Sequence, residues 1–255
     1  EIEIVSLWEV MDRLGLPDAT TGKSGMGKVA VHDACTTRHE KDVHDSVRRI
    51  LGRLGYEVEE LAYSRDKTEC CGFGGLMSIA NPELVRKVID RRIKESETDY
   101  VAYCAMCRDK FASRGKRTFH LLDLIYGGGN AELAEKKDPG YSQRHENRAR
   151  LKNKLLREIW GEKVEEAQPA IKLEIDDKLK DVMEERLILV EDIRKVIDYA
   201  EKTGNKFYNQ ETGHFMACYR PVSVTYWVEY SPRGDGYAVH NAYSHRVQIV
   251  EDVKK

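Results

Sequence analysis

The chain has 255 residues, of which 34% are charged, and a formal net charge of -2. That length supports one large domain or two modest ones with real cores, and the interspersed charges, with no long basic run and no acidic tail, argue against a nucleic-acid-binding surface. No apolar run approaches the length of a membrane span and no signal-peptide h-region is present, so the sequence reads as a soluble cytoplasmic protein; its opening on Glu1 fits a piece of a longer polypeptide.

In chain order, Ile4, Leu7, Val10, Met11 and Leu14 have helical spacing, with a stop at Gly15 and Pro17. The loop that follows contains Gly22-Lys23-Ser24-Gly25-Met26-Gly27-Lys28, nearly a phosphate-binding loop, but Val29 stands where a magnesium-binding Ser or Thr belongs. The glycines also precede a strand and do not link a strand to a helix, which argues against a nucleotide site. Lys28 to His32 reads as a buried strand delivering Asp33-Ala34-Cys35 to its carboxyl end. Val43, Val47, Ile50, Leu51 and Leu54 form a helix face closed by Gly55, and Tyr56 to Leu61 alternates like a second strand.

After Cys70-Cys71-Gly72-Phe73-Gly74-Gly75, Asn81 reads as an N-cap with Pro82 at the first helical position, followed by an apolar stripe of Leu84, Val85, Val88, Ile89 and Ile93. Tyr100 to Tyr103 is a short strand running into Cys104, and Cys107 is expected to open a helix running to about Gly115. The apolar segment Thr118 to Ile125 ends at Gly127-Gly128-Gly129-Asn130. In the polar stretch beyond, Tyr141 to Trp160 is predicted as a helix with a modest apolar face from Leu151, Leu155, Leu156, Ile159 and Trp160, a strut or docking element. A second domain is expected from Leu179, with one helix to about Thr203 and then a period-two pattern: Thr225 to Tyr230, a turn at Arg233-Gly234-Asp235-Gly236, and Tyr237 to His240. The expected architecture is α/β: a small parallel sheet over 1–127, a charged helical linker over 128–178, and a small α+β domain with an antiparallel sheet over 179–255.

Five of the six cysteines form a C…CC…CxxC array: Cys35, Cys70, Cys71, Cys104 and Cys107. An isolated cysteine is usually a small buried hydrophobe. An adjacent pair, a CxxC and a lone partner, all near expected strand ends, are ligand spacings instead. The residues leave three chemistries open. Four thiolates complete a zinc site and leave a fifth without a task. Iron–sulfur clusters also usually take four, so a fifth implies an unusual cluster or a bridging thiolate. Thiol–disulfide exchange by Cys104 and Cys107 leaves the other three unexplained.

His32 is placed to support the site, although a strand-end histidine more often satisfies a backbone carbonyl, and His120 carries similar weight. Arg38, three residues after Cys35, either hydrogen-bonds cluster sulfur or solvates a loop. His39 and His44 read as surface residues and Cys218 as a core residue. Strand propensity accounts for Tyr219, Tyr226, Trp227, Tyr230, Tyr237 and Tyr243 better than a ligand face does.

His32-Asp33-Ala34-Cys35, Cys70-Cys71-Gly72-Phe73-Gly74-Gly75 and Cys104-Ala105-Met106-Cys107 together resemble the cysteine-rich CCG domain of heterodisulfide reductase and of related iron–sulfur subunits of glycolate, lactate and glycerol-3-phosphate oxidising systems. The resemblance covers residues 1 to about 127. It implies that Cys35, Cys70, Cys71, Cys104 and Cys107 hold a non-cubane [4Fe–4S] cluster, that Gly72, Gly74 and Gly75 match the family glycines, and that Arg38 matches a basic residue often found after the first cysteine. It further implies an electron-transferring oxidoreductase subunit with a flavoprotein or ferredoxin-like partner, acting on a thiol/disulfide or organic-acid couple. The CCG-bearing chain of heterodisulfide reductase carries two such motifs and this chain one, which suits electron transfer or half of a site. The rival reading is a zinc-binding assembly module without its own turnover.

Overall fold

The computed structural model describes residues 4–17, 27–128, 130–162 and 171–247, which fold as two units, Glu1–Asp138 and Pro139–Lys255. Most of the near-phosphate-binding loop, Gly22 to Met26, lies outside the described residues, as does Gly129.

In the first unit, helix α1 (Leu7–Leu14) starts at a capping box, in which the Ser6 Oγ accepts from the Trp8 N–H and Glu9 accepts from the Ser6 N–H. Strand β1 (Gly27–His32) leads through a 3-10 turn at Cys35–Thr37 to α2 (Lys41–Arg53), and β2 (Tyr56–Glu60) follows. A second 3-10 turn at Arg65–Lys67 precedes the double cysteine. A short helix, α3 (Met77–Ala80), which the sequence reading did not anticipate, comes before α4 (Pro82–Ile93). The Asn81 side chain accepts from the Leu84 N–H, so the expected N-cap is present, while Leu84 itself is exposed. Strand β3 (Tyr100–Ala102), α5 (Ala105–Ala112), β4 (Thr118–His120), α6 (Leu121–Tyr126) and a 3-10 turn at Ala131–Glu135 complete the unit.

The four strands form one parallel sheet in the order β2-β1-β3-β4. The run Val29, Ala30 and Val31 is buried, as befits a central strand covered on both faces, and packs with Val47, Ile50, Leu51, Val101 and Phe111. Both β1 and β3 end at cysteine-bearing segments.

The second unit opens with α7 (Gly140–Glu158), a helix with no buried residue, and β5 (Leu173–Ile175). The single helix expected from Leu179 to Thr203 is instead two, α8 (Asp177–Glu185) and α9 (Val190–Thr203). Between them Leu187 takes φ +54°, Ile188 turns into the core, and the Asp192 carboxylate accepts from the Leu189 N–H at 3.1 Å to start α9. Gly204, at φ +73°, ends α9 as anticipated. Strands β6 (Phe207–Asn209), β7 (His214–Tyr219), β8 (Thr225–Arg233) and β9 (Gly236–His245) are antiparallel neighbours, with a two-residue turn at Gly234-Asp235. Strand β5 pairs with β9 in parallel, so this sheet is mixed.

Tyr230 lies in the second core, and Tyr219, Tyr226 and Tyr237 pack against it, while Trp227 and Tyr243 stack on each other. Cys218 is half-buried and outside that core, contrary to the sequence reading: on β7 the core positions are Phe215, Ala217 and Tyr219, and Cys218 alternates away from them. Among the described residues no helix is long and apolar enough to cross a membrane.

Candidate metal centre

Cys35 opens the 3-10 turn that follows β1. Cys70 and Cys71 lie in the irregular loop after the Arg65–Lys67 turn, where Gly72 at φ +89° turns the chain and its N–H donates to the Cys70 sulfur at 3.3 Å. A β-carbon at Gly74 would stand 3.7 Å from that same sulfur, so the backbone passes close beside it. Cys104 is the residue before α5, and Cys107 lies within its first turn; the helix starts at Ala105, two residues earlier than the sequence suggests, because Cys104 itself takes the extended N-cap conformation.

All five thiols interact. Cys35 sits with Cys70 and within electrostatic reach of Cys71 and Cys104, and Cys107 lies against both Cys71 and Cys104. Cys71 and Cys107 are buried and the other three half-buried. The Cys104 thiol is lowered to about 6, first by hydrogen bonding with the Cys107 thiol, then, against the effect of burial, by the N–H groups of Cys107 and Met106 that face its sulfur at the helix start. Cys71 is lowered to about 7, chiefly by Cys107 and with help from the Phe73 N–H. Cys107 is raised, by its hydrogen bonding with Cys104 and Cys71 and by burial. Burial, followed by the neighbouring Cys70, raises Cys35.

Among the described residues no group of three or more His, Cys, Asp or Glu side chains already stands at the spacing to hold a single metal ion. The donor set fits a soft-metal group by its chemistry: five sulfur donors from three segments, no carboxylate among them, and two thiols biased toward thiolate at neutral pH.

The supporting residues are a buried polar network. Asp33 takes both guanidinium nitrogens of Arg48, at 2.6 and 2.8 Å, the Arg65 N–H at 2.7 Å and the Tyr103 hydroxyl at 3.0 Å. The Tyr103 hydroxyl is also 2.8 Å from the Thr37 hydroxyl, and the Thr68 hydroxyl donates to the Asp33 carbonyl at 2.6 Å. Sequence reasoning missed Asp33, Tyr103 and Thr68; the signal available was Asp33 and Tyr103 standing directly at the ends of two apolar strands.

Arg38 donates to the Thr68 carbonyl at 2.7 Å, which links the Cys35 turn to the segment entering Cys70. His32 is buried, with its Nδ1 3.1 Å from Arg92 Nη2 and its ring edge-on to Phe111. His120 caps α6, its Nδ1 accepting from the Leu122 N–H at 3.2 Å. His39 is exposed, whereas His44, expected at the surface, is buried beside Val43 and Val47 on the inner face of α2.

Residues 29–111 match the family model described as the CCG cysteine-rich domain. Lactate utilization protein A of Oceanobacillus iheyensis is 31% identical over 96 residues, covering 36% of this chain and 37% of that protein. The glycolate oxidase iron-sulfur subunit of Escherichia coli K12 is 26% identical over 106 residues, covering 40% of this chain and 25% of that protein. The chain thus spans well under half the length of these curated relatives. No solved structure matches it.

Proposed function

With residues 29–111 a CCG cysteine-rich domain, we propose that the chain is part of an iron–sulfur subunit of an oxidoreductase, acting in the cytoplasm and carrying electrons between a redox partner and an organic-acid or thiol/disulfide couple. The observation that carries this reading is the convergence of all five array thiols from three separate segments. The names of the two relatives, one for lactate and one an iron-sulfur subunit of glycolate oxidase, support the organic-acid couple over the disulfide.

Cys35, Cys70, Cys71, Cys104 and Cys107 would hold the group, which when bound supplies one-electron transfer. The finer reading is a non-cubane [4Fe–4S] cluster of the heterodisulfide reductase kind, because five sulfur donors exceed the usual four. Cys71 and Cys104 offer thiolates near neutral pH, whereas the Sγ protons of Cys35 and Cys107 must leave on loading. Arg38 fixes the first cysteine's turn, and Gly72 and Gly74 bring backbone to the Cys70 sulfur. A flavoprotein or ferredoxin-like protein is the proposed electron donor.

Iron and acid-labile sulfide on protein purified without oxygen test the proposal. About four of each per chain are expected, with loss of the visible chromophore in Cys71→Ser. One zinc and no sulfide would replace the proposal with a zinc-stabilised assembly module.

A further inference from the structure

The segment that leaves the double cysteine carries four large apolar side chains open to solvent. Leu76 and Ile79 are 73% and 74% exposed, and Phe73 and Leu84 are nearly half exposed. Single exposed hydrophobics are ordinary on a protein surface, but a group of them on one short segment marks an interaction site.

Leu76 carries a second cost. It takes φ +57°, the left-handed conformation, in which the β-carbon of a leucine crowds the carbonyl that follows and which glycine or asparagine adopts with less strain. Its side chain has little burial within its own chain to offset that. The Ile79 N–H donates to the Leu76 carbonyl at 3.0 Å, so the two open side chains are held one turn apart. An apolar residue kept both strained and exposed has its use outside its own fold.

The same segment forms the rim of the thiol array. The backbone at Gly74 passes beside the Cys70 sulfur, and Gly72 lies close against Val85 and Ile89 of α4. The Phe73 ring reaches α5, where the Lys110 Nζ stands 5.9 Å from its centroid, so the apolar group spans from the Cys70-Cys71 loop to the helix that Cys104 caps. Cys70 and Cys104 are half-buried there.

The charges around this group select what covers it. Each nearby acid is matched by a cation: Glu69 by Arg91, Glu83 by Lys87 at 2.8 Å and Asp90 by Arg114 at 2.8 Å. Arg86, two residues past Leu84, and Lys110 have no ion pair among the described residues, which leaves the rim positive. A small apolar centre with a rim of one sign is the form of a weak, transient contact with a partner of the opposite sign, and too small for a permanent interface.

We propose that Phe73, Leu76, Ile79 and Leu84, rimmed by Arg86 and Lys110, are the docking surface for the electron-transfer partner, and that this partner is an acidic one-electron carrier protein seated over the Cys70 side of the array. The inference rests on the electron-transfer reading above and adds where the partner binds and what charge it presents.

Isothermal titration of the full chain at low ionic strength, with a plant-type ferredoxin and a flavodoxin as acidic carriers and cytochrome c as a basic one, tests it. Saturable binding of at least one acidic carrier is expected, weaker in added salt, with cytochrome c binding less tightly. In Leu76→Asn/Ile79→Gln the affinity should fall about tenfold or more, as expected for lost apolar burial, while the urea midpoint stays at or above the parent's because asparagine tolerates the left-handed backbone. Arg86→Glu/Lys110→Glu should weaken the same carrier and flatten its salt dependence. Binding of neither acidic carrier, cytochrome c binding as tightly as they do, or affinity unchanged in the folded apolar variant overturns the proposal. So does self-association of the parent in sedimentation that the apolar variant abolishes, since the surface then belongs to a second copy of the chain. The titration reads binding whatever metal the thiols hold. A chain with zinc and no sulfide that binds an acidic carrier through these residues supports the docking surface and overturns the electron-transfer reading alone; a chain with iron and sulfide that binds neither overturns the docking surface alone.

Discussion

The carboxylate of Asp33 accepts a hydrogen bond from the Tyr103 hydroxyl at 3.0 Å, and that contact joins the strand end entering Cys35 to the one entering Cys104. The Asp33 carbonyl meanwhile takes the Thr68 hydroxyl, two residues before Cys70. One fully buried residue therefore ties all three cysteine-bearing segments, with Arg48 balancing its charge.

Removing these ties in steps should loosen the array in steps. Tyr103→Phe deletes one hydrogen bond and should cost about 1 kcal/mol. Asp33→Asn leaves Arg48 without its buried counter-charge; since Arg48 keeps Glu60, the cost should lie near the lower end of the range for breaking buried pairs, about 3 kcal/mol. Urea denaturation gives the stabilities, and iron retained after gel filtration should fall in the same order. An Asp33→Asn protein as stable and as metal-replete as the parent would show that the tie is not needed.

Stability should also fall with acid in a defined window. His32 is buried, and its Nδ1 can only accept from Arg92, so the ring is held neutral: burial first, then the Arg92 charge, lower its pKa from 6.5 to about 3. The unfolded chain takes up a proton that the folded one refuses, so this contribution is complete above 6.5 and is lost as pH falls from there toward 3. The slope is about 1.4 kcal/mol per pH unit at most. For Asp33, burial is the largest single influence and raises the carboxyl, but the Arg48 hydrogen bonds and charge together with the Arg65 N–H outweigh it, leaving it below the usual 3.8; its contribution is present above that value and fades only below it. The urea midpoint should therefore decline already between pH 6.5 and 4.5, and the decline should be shallower in His32→Gln. A flat profile across that interval would count against a neutral buried His32.

The sequence made the parallel sheet and the array legible for physical reasons. Val29 to Val31 is a continuous apolar run, Asn81-Pro82 is a self-contained helix start, and the adjacent and CxxC cysteines have few structural uses besides ligation. What stayed hidden depends on tertiary contact or on a weaker local signal. Leu187 breaks a helix where no glycine or proline marks the break and the apolar spacing runs on; only Asp192, three residues after Leu189, hinted at a new start. His44 shares the α2 stripe with Val47 and Leu51, so its burial was readable from helical spacing that a polar residue type obscured.

Thiol reactivity in metal-free protein should be graded. Cys104, half-buried and lowered to about 6, should be alkylated fastest by iodoacetamide at pH 7, with a rate midpoint near pH 6. Cys71, at about 7 but buried, should follow, and Cys107 and Cys35, both raised, should be slowest among these four. Peptide mass spectrometry after timed quenching reads the order. Preferential labelling of Cys107 would contradict its raised thiol.

The loop glycines separate backbone conformation from contact with sulfur. Gly72→Ala meets both a positive φ of +89° and side-chain carbons of Val85 and Ile89 at 3.3 Å, so it should be the most damaging, at about 2 kcal/mol or more. Gly75→Ala has φ +67° but nothing within 4 Å, so only the left-handed backbone cost of about 1 kcal/mol applies. Gly74→Ala has neither a positive φ nor a close clash; its added methyl makes an ordinary 3.7 Å contact with the Cys70 sulfur. Its denaturation midpoint should match the parent's, while its visible spectrum or reduction potential, if the thiols hold a cluster, should shift because the methyl alters the surroundings of a ligating sulfur. Equal stability losses in all three variants would mean that the loop responds to chain stiffness alone and that the backbone beside Cys70 has no special relation to the sulfur.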